Sequence, residues 1–425
     1  MNIKLNIYYI VNAILLSIRF KIFLHLPLLD ILKTSNYNQL MIKKLFTVFT
    51  ASLLLLGCLY GYAPANKDSI DFIPDTEHVK PLGRTLFFDD MLLMGYSCTG
   101  AEFKVKAKHL DITIAGDNKA NMPVDNGSAA RIVVFVDGER KLDEMILSPS
   151  QTFTVFDNTQ AQEALVRVIK VSEATSSLAA ISKITTDKDG VIYPAEERKL
   201  KLEFIGDSIT CGYGVDDLDR NHHFKTSTED GSKSYAYKTA AILDADYSMV
   251  SISGWGIISG YSGDGKKQAN SQLPRYYDRL AVSWSTIDGV DPKVVRWDFN
   301  SFVPDIVVVN LGTNDSSYTK KDSAKIAEYK DAYVEFLKDI RAKNEKAYII
   351  CSLGMMGQDL CAAVKEAVTE YSSLTGDTRI CDLKFANQSF ADEIAADWHP
   401  SEKTHEKAAN LLTAKIKEIM ASGSF

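Results

Sequence analysis

The spacing of apolar residues changes near residues 188–199, and this change limits the possible folds more than any other feature of the sequence. Between residues 79 and 187, apolar and polar residues alternate in short runs bounded by Gly, Asn and Asp, among them AEFKVKA, LDITIAG, TFTVF and ALVRVIKV. Such period-two runs are typical of strands with one buried face, so this half predicts an all-β sandwich. The chain has 425 residues, which is more than a single domain usually contains, since domains usually hold about 100–200 residues.

The second half predicts a different architecture. Nearly continuous apolar runs occur at 201–206, 247–253, 305–312, 346–354 and 379–383. Runs of this kind suit parallel strands that are covered on both faces. The segment 322–344 has apolar residues at spacings of three and four, which predicts a helix, and a closing helix is predicted to begin after an N-cap at Ser401. We therefore expect a three-layer α/β/α domain with a parallel sheet and a site at the carboxyl ends of its strands.

The N-terminal region has the features of an export signal. Residues 1–57 contain six Lys or Arg and one acid, and from Met41 the sequence reads MIKKLFTVFTASLLLLGC. A short basic stretch, a brief apolar run and Gly before Cys58 resemble a bacterial lipoprotein signal, which would leave Cys58 lipidated. Ordinary secretion or a retained anchor remain open, as does a membrane helix upstream if the residues before Met41 are translated.

These patterns predict four parts. They are a leader at 1–57 with its start at Met41, a linker at 58–78, a β-sandwich domain at 79–190 and the α/β/α domain at 198–425. The expected location is the bacterial periplasm or outer surface, with a lipid anchor at Cys58 as the one membrane contact. We expect a monomer.

Charge and cysteine content argue against nucleic-acid binding and against a fold held by disulfides or a cysteine metal site. The formal charge is −7, which argues against a protein that binds nucleic-acid phosphates. The five cysteines that follow Cys58 are odd in number and show no paired spacing, so neither a disulfide framework nor a cysteine metal site is expected. No cluster of His and Asp with metal-ligand spacing is visible, and we expect neither metal nor cofactor.

Four short motifs carry groups suited to acyl transfer. Gly206-Asp207-Ser208 follows the first predicted strand and can present a serine hydroxyl and its own N–H at the mouth of the sheet. Gly254, after the second strand, would leave its N–H uncovered by a side chain. Asn314, after the third strand, could donate its amide to a developing oxyanion. His399, just before the last helix, is the candidate base, because serine needs a neighbouring imidazole to accept its proton.

The other histidines are weaker candidates for the base. His222 and His223 lie in a polar loop, NHHFKTSTEDGSKS, where a solvated role is expected. His405 falls within the closing helix, and we expect it to face water.

The order of GDS, Gly, GTND and a late DWHP resembles the four sequence blocks of the SGNH (GDSL-like) hydrolases. The stretches FIGDSITCGYG, WDFNSFVPDIVVVNLGTND and DWHPSEKTHEKAANLL are most similar to carbohydrate esterase family 2. The resemblance covers about residues 80–420. It implies an N-terminal jelly-roll β-sandwich, a C-terminal SGNH hydrolase domain, and O-deacetylation of plant polysaccharides such as xylan or glucomannan without a metal.

The resemblance also implies roles for single residues. Ser208 would be the nucleophile and His399 the base, and Ser208 N–H, Gly254 N–H and Asn314 would form the oxyanion hole. Asp397 is the expected partner of the imidazole, although one residue separates it from His399 where two are usual. A backbone carbonyl is the alternative partner, and a purely structural role for Asp397 also remains open.

Specificity would come from the sugar side, because acetyl is small. Aromatic side chains that can stack on pyranose rings are candidate substrate-binding residues, and these are Trp398, Trp255, Trp284 and Tyr261. A lipase or thioesterase acting on another acyl ester, and a carbohydrate-binding protein with little turnover, are the alternatives. We expect the sandwich to brace the active-site rim rather than to bind glycan.

Overall fold

The computed structural model describes residues 68–121 and 128–423, and every structural statement below concerns these residues. The predicted leader at 1–57, the start at Met41, the lipidation site Cys58 and residues 58–67 of the predicted 58–78 linker lie outside them. In the described part of the chain, no helix combines the length and apolarity needed to cross a membrane.

The N-terminal half is a jelly-roll β-sandwich built from one continuous antiparallel sheet of ten strands. Seven strands run in the order β3-β4-β9-β5-β8-β6-β7, while β1 pairs with β9, and β2 and β10 pair with β5. The strands are β1 Ser69–Phe72, β2 Lys80–Leu82, β3 Thr85–Phe88, β4 Met91–Met94, β5 Thr99–Gly116, β6 Arg131–Val136, β7 Glu139–Met145, β8 Ser150–Lys170, β9 Ala179–Asp187 and β10 Val191–Pro194.

Two strands are longer than the sequence predicted. The runs AEFKVKA and LDITIAG belong to the single strand β5, and TFTVF and ALVRVIKV belong to β8. Their pairing shifts register between Ala107 and His109 and again between Leu110 and Asp111. Such bulges bend a strand, so the apolar alternation lapses at the bend while backbone pairing continues. The prediction that each run is a separate strand was therefore wrong.

The region predicted as a linker at 188–199 is also partly strand. Val191–Pro194 pairs antiparallel with Phe103–Lys106 of β5. Ile192 is buried in the sandwich core. Backbone hydrogen bonds to β5 and the burial of the Ile192 side chain make this segment part of the sandwich.

The C-terminal half is a three-layer α/β/α domain around a parallel sheet of five strands in the order β12-β11-β13-β14-β15. Helices α2 and α6 cover one face and helices α4 and α5 cover the other. The elements are β11 Leu200–Gly206, α1 Ser208–Cys211, α2 Tyr235–Ile242, β12 Ala245–Ser251, β13 Ile306–Asn310, α3 Thr313–Thr319, α4 Ser323–Lys343, β14 Tyr348–Met355, α5 Cys361–Thr375, β15 Ile380–Asn387 and α6 Glu402–Ala421.

Both helix predictions in this half are confirmed. Helix α4 buries the apolar face expected for 322–344. Helix α6 begins after Ser401, whose hydroxyl accepts the N–H of Thr404. His405 is an exception: it is buried, and its Nδ1 accepts the N–H of Tyr235 at 3.2 Å. The expectation that it faces water was wrong, because helix α6 turns this position toward helix α2.

An apolar cluster spans the contact between the two halves. Leu82, Val133 and Ile169 of the sandwich are part of the same buried cluster as Phe204 and Met249 of the parallel sheet. The sandwich is therefore packed directly against the α/β/α domain.

Candidate active site

The turn after β11 presents Ser208 at the carboxyl edge of the parallel sheet. Asp207 caps helix α1, and its Oδ1 accepts the N–H of Ile209 at 3.0 Å. Gly206 makes the tight turn possible, because a Cβ there would lie 2.0 Å from Thr210 Oγ1. The strand-turn-helix arrangement thus places the hydroxyl and the N–H of Ser208 at the carboxyl edge of the parallel sheet.

Ser208 and His399 are in hydrogen-bond contact. His399 Nε2 lies 2.9 Å from Ser208 Oγ, and His399 Nδ1 lies 3.1 Å from the backbone oxygen of Asp397. Burial lowers the pKa of His399 to about 4, although the carbonyls of Asp397 and Ala396 oppose the shift. The imidazole is therefore neutral at pH 7, with Nδ1 donating to the carbonyl and Nε2 free to accept the serine proton.

The Asp397 carboxylate departs from its expected place. It contacts His223 Nδ1 at 2.9 Å, and it accepts hydrogen bonds from Tyr213 Oη at 2.8 Å and Phe224 N–H at 2.9 Å. Partial burial opposes the shift, but these hydrogen bonds hold the pKa of Asp397 below its usual value. The reason for the placement is backbone geometry: φ is +49° at Asp397 and +64° at Trp398, which directs the carboxylate away from His399 and the carbonyl toward it.

Sequence reasoning missed Tyr213, which supports the imidazole from behind. Its ring stacks on His399 with centroids 4.0 Å apart and an interplanar angle of 25°. On its other face it stacks on Phe224 at 4.4 Å. The available signal was an aromatic residue between Gly212 and Gly214 directly after the GDS motif, and both glycines adopt positive φ.

Two backbone N–H groups at the same edge of the sheet are candidates for the oxyanion hole. Gly254 has φ +77°, and a Cβ built there would meet no atom within 4 Å. Over residues 68–121 and 128–423, neither the Gly254 N–H nor the Ser208 N–H has a protein acceptor. The two groups are therefore available to an incoming oxygen.

Asn314 lies at the same edge but its amide is already engaged. Its Nδ2 donates to the carbonyl of Trp255 at 2.8 Å and lies 3.3 Å from Asp207 Oδ2. Burial, with Asp315 nearby, raises the pKa of Asp207 to about 7. The longer of the two contacts is the one that a bound oxyanion could replace.

Asp315 of the GTND motif holds the loop that follows Gly254. Its carboxylate accepts the N–H groups of Ile257, Ile258 and Ser259 at 2.9, 2.8 and 3.1 Å. Burial raises the pKa of Asp315 to about 6 although these amides oppose the shift. The GTND motif is visible in the sequence, but the contacts of Asp315 are not, because their partners lie in the loop that follows another strand, β12.

The two tryptophans expected to bind substrate differ in exposure. Trp255 is only 7% exposed and packs edge-on against Tyr276. Its ring is therefore not available to stack on a sugar, contrary to our expectation. Trp398 is 49% exposed. The guanidinium of Arg220 lies 4.8 Å from its ring centroid, and Phe390 packs against it edge-on. Tyr261 and Trp284 are exposed as well.

One buried group of potential metal ligands occurs among the described residues. Ligand atoms of Glu173, Cys211 and Glu229 lie within 4.8 Å of one another. Both carboxylates accept backbone N–H groups: Glu173 accepts from Ser253 at 2.9 Å, and Glu229 accepts from Glu173 at 2.8 Å. The group therefore links polypeptide segments beneath the candidate nucleophile.

Known proteins share this two-part arrangement. The family model described as GDSL-like Lipase/Acylhydrolase family matches residues 204–407, and the model described as Carbohydrate esterase 2 N-terminal matches residues 82–195. The Cellulase/esterase CelE of Acetivibrio thermocellus is 35% identical over 221 residues, which are 51% of this chain and 25% of that protein. The chain thus spans a quarter of the length of this relative.

Two further proteins match along nearly their whole length. An acetylxylan esterase / glucomannan deacetylase of Cellvibrio japonicus is 25% identical over 378 residues, which are 87% of this chain and 98% of that protein. The solved structure of a family two carbohydrate esterase from Clostridium thermocellum in complex with cellohexaose is 27% identical, with a TM-score of 0.69, and the match covers 82% of this chain and 100% of that one. The chain therefore combines a GDSL-like lipase/acylhydrolase domain with a carbohydrate esterase 2 N-terminal domain, which is the two-domain organisation of the family two carbohydrate esterases that it resembles.

Proposed function

We propose that this chain removes O-acetyl groups from a plant cell-wall polysaccharide, xylan or glucomannan, with Ser208 as nucleophile. The observation that carries the proposal is the 2.9 Å contact between Ser208 Oγ and His399 Nε2. Beside it, the N–H groups of Ser208 and Gly254 have no acceptor within the part of the chain that the structure describes. The polysaccharide class is supported by the relatives, which are named as an acetylxylan esterase / glucomannan deacetylase and a cellulase/esterase.

The proposed reaction has two halves. His399 Nε2 takes the Ser208 proton as Oγ attacks the acetyl carbonyl, and the oxyanion is bound by the N–H groups of Ser208 and Gly254 with the Asn314 amide. The imidazolium then gives its proton to the sugar oxygen, which leaves as an alcohol. Water, activated by the same imidazole, attacks the acetyl-enzyme and releases acetate.

The backbone carbonyl of Asp397 orients the imidazole in this mechanism. It accepts the Nδ1 proton, which sets the tautomer that has its lone pair on Nε2. No carboxylate contact to the ring is required, and the enzyme then works as a Ser-His dyad. The Asp397 side chain supports the turn that carries this carbonyl.

Acetate release from acetylated polysaccharide tests the proposal. The chain and its Ser208→Ala variant are incubated with acetylated xylan and with acetylated glucomannan, and free acetate is measured. We expect release by the unaltered chain on at least one polymer and a loss of about 10³-fold or more in the variant. Equal release by both proteins would refute the role of Ser208.

An acyl-length series separates the proposal from a lipase or thioesterase. We expect kcat/KM on small esters to fall from acetyl to butyryl and beyond, because the sugar rather than the acyl group is expected to carry specificity. A rise with chain length, or a preference for a thioester, would favour the alternative.

Glycan binding is a second candidate, and the exposed Trp398 with its neighbour Phe390 favours it. Exposed aromatic rings offer flat apolar faces to pyranose rings. Retention of polysaccharide by the Ser208→Ala variant would assign both binding and hydrolysis to the chain. Retention without acetate release by the unaltered chain would leave binding alone.

We also propose that the chain is exported and lipid-anchored at Cys58, on the basis of the signal-like sequence that begins at Met41. Labelling with a radioactive fatty acid in a bacterial host tests the anchor, with Cys58→Ala as the control. Equal labelling of both chains would refute it.

A further inference from the structure

A buried hydrogen bond connects the sandwich to the loop that carries Gly254. Glu173 follows β8 of the sandwich and is 4% exposed. Its Oε2 accepts the N–H of Ser253 at 2.9 Å. Ser253 directly precedes Gly254, so a side chain of the sandwich holds the peptide next to the candidate oxyanion donor.

Glu173 is itself fixed through its backbone. Its N–H donates to Glu229 Oε2 at 2.8 Å, and its carbonyl accepts from Lys170 Nζ at 3.0 Å. Lys170 is fully buried and also donates to the carbonyls of Gly95 and Ser172. Both backbone groups of Glu173 thus have buried partners, which fix the backbone from which its side chain extends to Ser253.

Other contacts of the loop do not involve the Ser253 N–H. Asp315 holds the N–H groups of residues 257–259, and the Gly254 carbonyl accepts the N–H of Tyr261 at 2.8 Å. Strand β12 ends at Ser251, so the sheet does not pair the Ser253 N–H. Removing the Glu173 carboxyl group would leave that N–H without its partner, and the peptide would shift to find another.

We propose that Glu173 is a positioning residue of the oxyanion hole, through which the β-sandwich sets the place of the Gly254 N–H. This inference rests on the proposed function, since it takes Gly254 as an oxyanion donor. It gives the sandwich a part in the reaction without any contact between the sandwich and the substrate.

Two substitutions at Glu173 separate positioning from folding. Glutamine keeps a carbonyl oxygen that can accept from Ser253, whereas alanine removes it. On a small acetyl ester we expect Glu173→Ala to lower kcat about 10- to 100-fold with KM changed less than about 3-fold, because displacing an oxyanion donor acts on the transition state. We expect Glu173→Gln to keep kcat within about 3-fold of the unaltered chain.

Lys80→Ala is the matched control. Lys80 lies in the same interface between the two halves, and its Nζ donates to Asp246 Oδ1 at 2.8 Å. Asp246 is near the opposite end of β12, about 16 Å from Ser251 along the strand. Lys80→Ala should lower Tm and leave kcat unchanged. An equal loss of kcat in Lys80→Ala, or an unchanged kcat in folded Glu173→Ala, would overturn the proposal.

A second measurement works even if the chain proves inactive. Labelling serine carbonyls with ¹³C and glycine amides with ¹⁵N selects four Ser-Gly pairs, one of which is Ser253-Gly254, and Gly254→Ala identifies its NMR signal. We expect that signal to move in Glu173→Ala and to stay in place in Glu173→Gln. A signal unmoved by Glu173→Ala overturns the positioning role. A shifted signal in a chain without any esterase activity would keep the positioning contact and refute the proposed function instead.

Discussion

Replacing Asp397 by Asn distinguishes a backbone carbonyl from a carboxylate as the partner of His399. In a Ser-His-Asp triad, the carboxylate is hydrogen-bonded to the imidazole. Changing that carboxylate to an amide lowers kcat about 10⁴-fold, because the imidazole then adopts the wrong tautomer. Here the carbonyl of Asp397 makes that contact at 3.1 Å, and the side chain can still accept from Phe224 N–H and Tyr213 Oη as Asn. We therefore expect Asp397→Asn to keep kcat/KM on a small acetyl ester within about 10-fold at pH 7.

Asp397→Ala is the comparison variant. It removes three contacts of an ionised carboxylate, and hydrogen bonds to charged groups are worth about 1.5–3 kcal/mol each. Alanine also adopts the left-handed backbone less readily than Asp or Asn. We expect a lower Tm and a larger loss of kcat than in Asp397→Asn. A folded Asp397→Asn variant that lost about 10³-fold or more would show that the carboxylate acts on the imidazole, and the argument from geometry would be refuted.

Three further predictions concern the base, the oxyanion hole and the sugar side. Because burial lowers the pKa of His399 to about 4, its imidazole should stay neutral, and able to accept the serine proton, until the pH drops to about 4. An NMR titration of its ring protons checks this, and a midpoint near 6.5 would contradict it. Asn314→Ala should lower kcat about 10²-fold, measured with an acetyl ester, and an effect under about 3-fold would exclude its amide from the oxyanion hole. Trp398→Ala should raise KM on acetylated polymer more than on a small acetyl ester, and equal effects on both would remove its stacking role.

The parts of the fold that the sequence predicts are those set by local patterns. Continuous apolar runs mark the strands of the parallel sheet, and the spacing in 322–344 marks α4. The bends in β5 and β8 are not predictable in the same way, because polar residues at a bend and polar residues in a turn look alike in the sequence. The burial of His405 depends on which helix it meets, and that is a tertiary contact.

The residues of the candidate site likewise fall into those that local motifs predict and those that depend on backbone geometry or tertiary contacts. Ser208, Gly254 and Asn314 follow strand ends, and carboxyl ends of parallel strands meet at one edge, so their convergence follows from the motif positions. The direction of the Asp397 carboxylate depends on two successive positive φ angles, which the letters DWH do not specify. Glu173 comes from the other domain, and no motif marks it.

The orientation of His399 by a carbonyl has a consequence for the balance of catalysis. An imidazolium formed during attack contacts a carbonyl dipole rather than a carboxylate, and its low pKa makes the neutral form a weak base at pH 7. In the proposed mechanism, stabilisation of the oxyanion must then supply more of the rate enhancement. The contacts that position the Gly254 loop, from Glu173 on one side and Asp315 on the other, should therefore matter more to kcat than the carboxylate of Asp397. A smaller kcat loss in Glu173→Ala than in Asp397→Asn would contradict this reasoning.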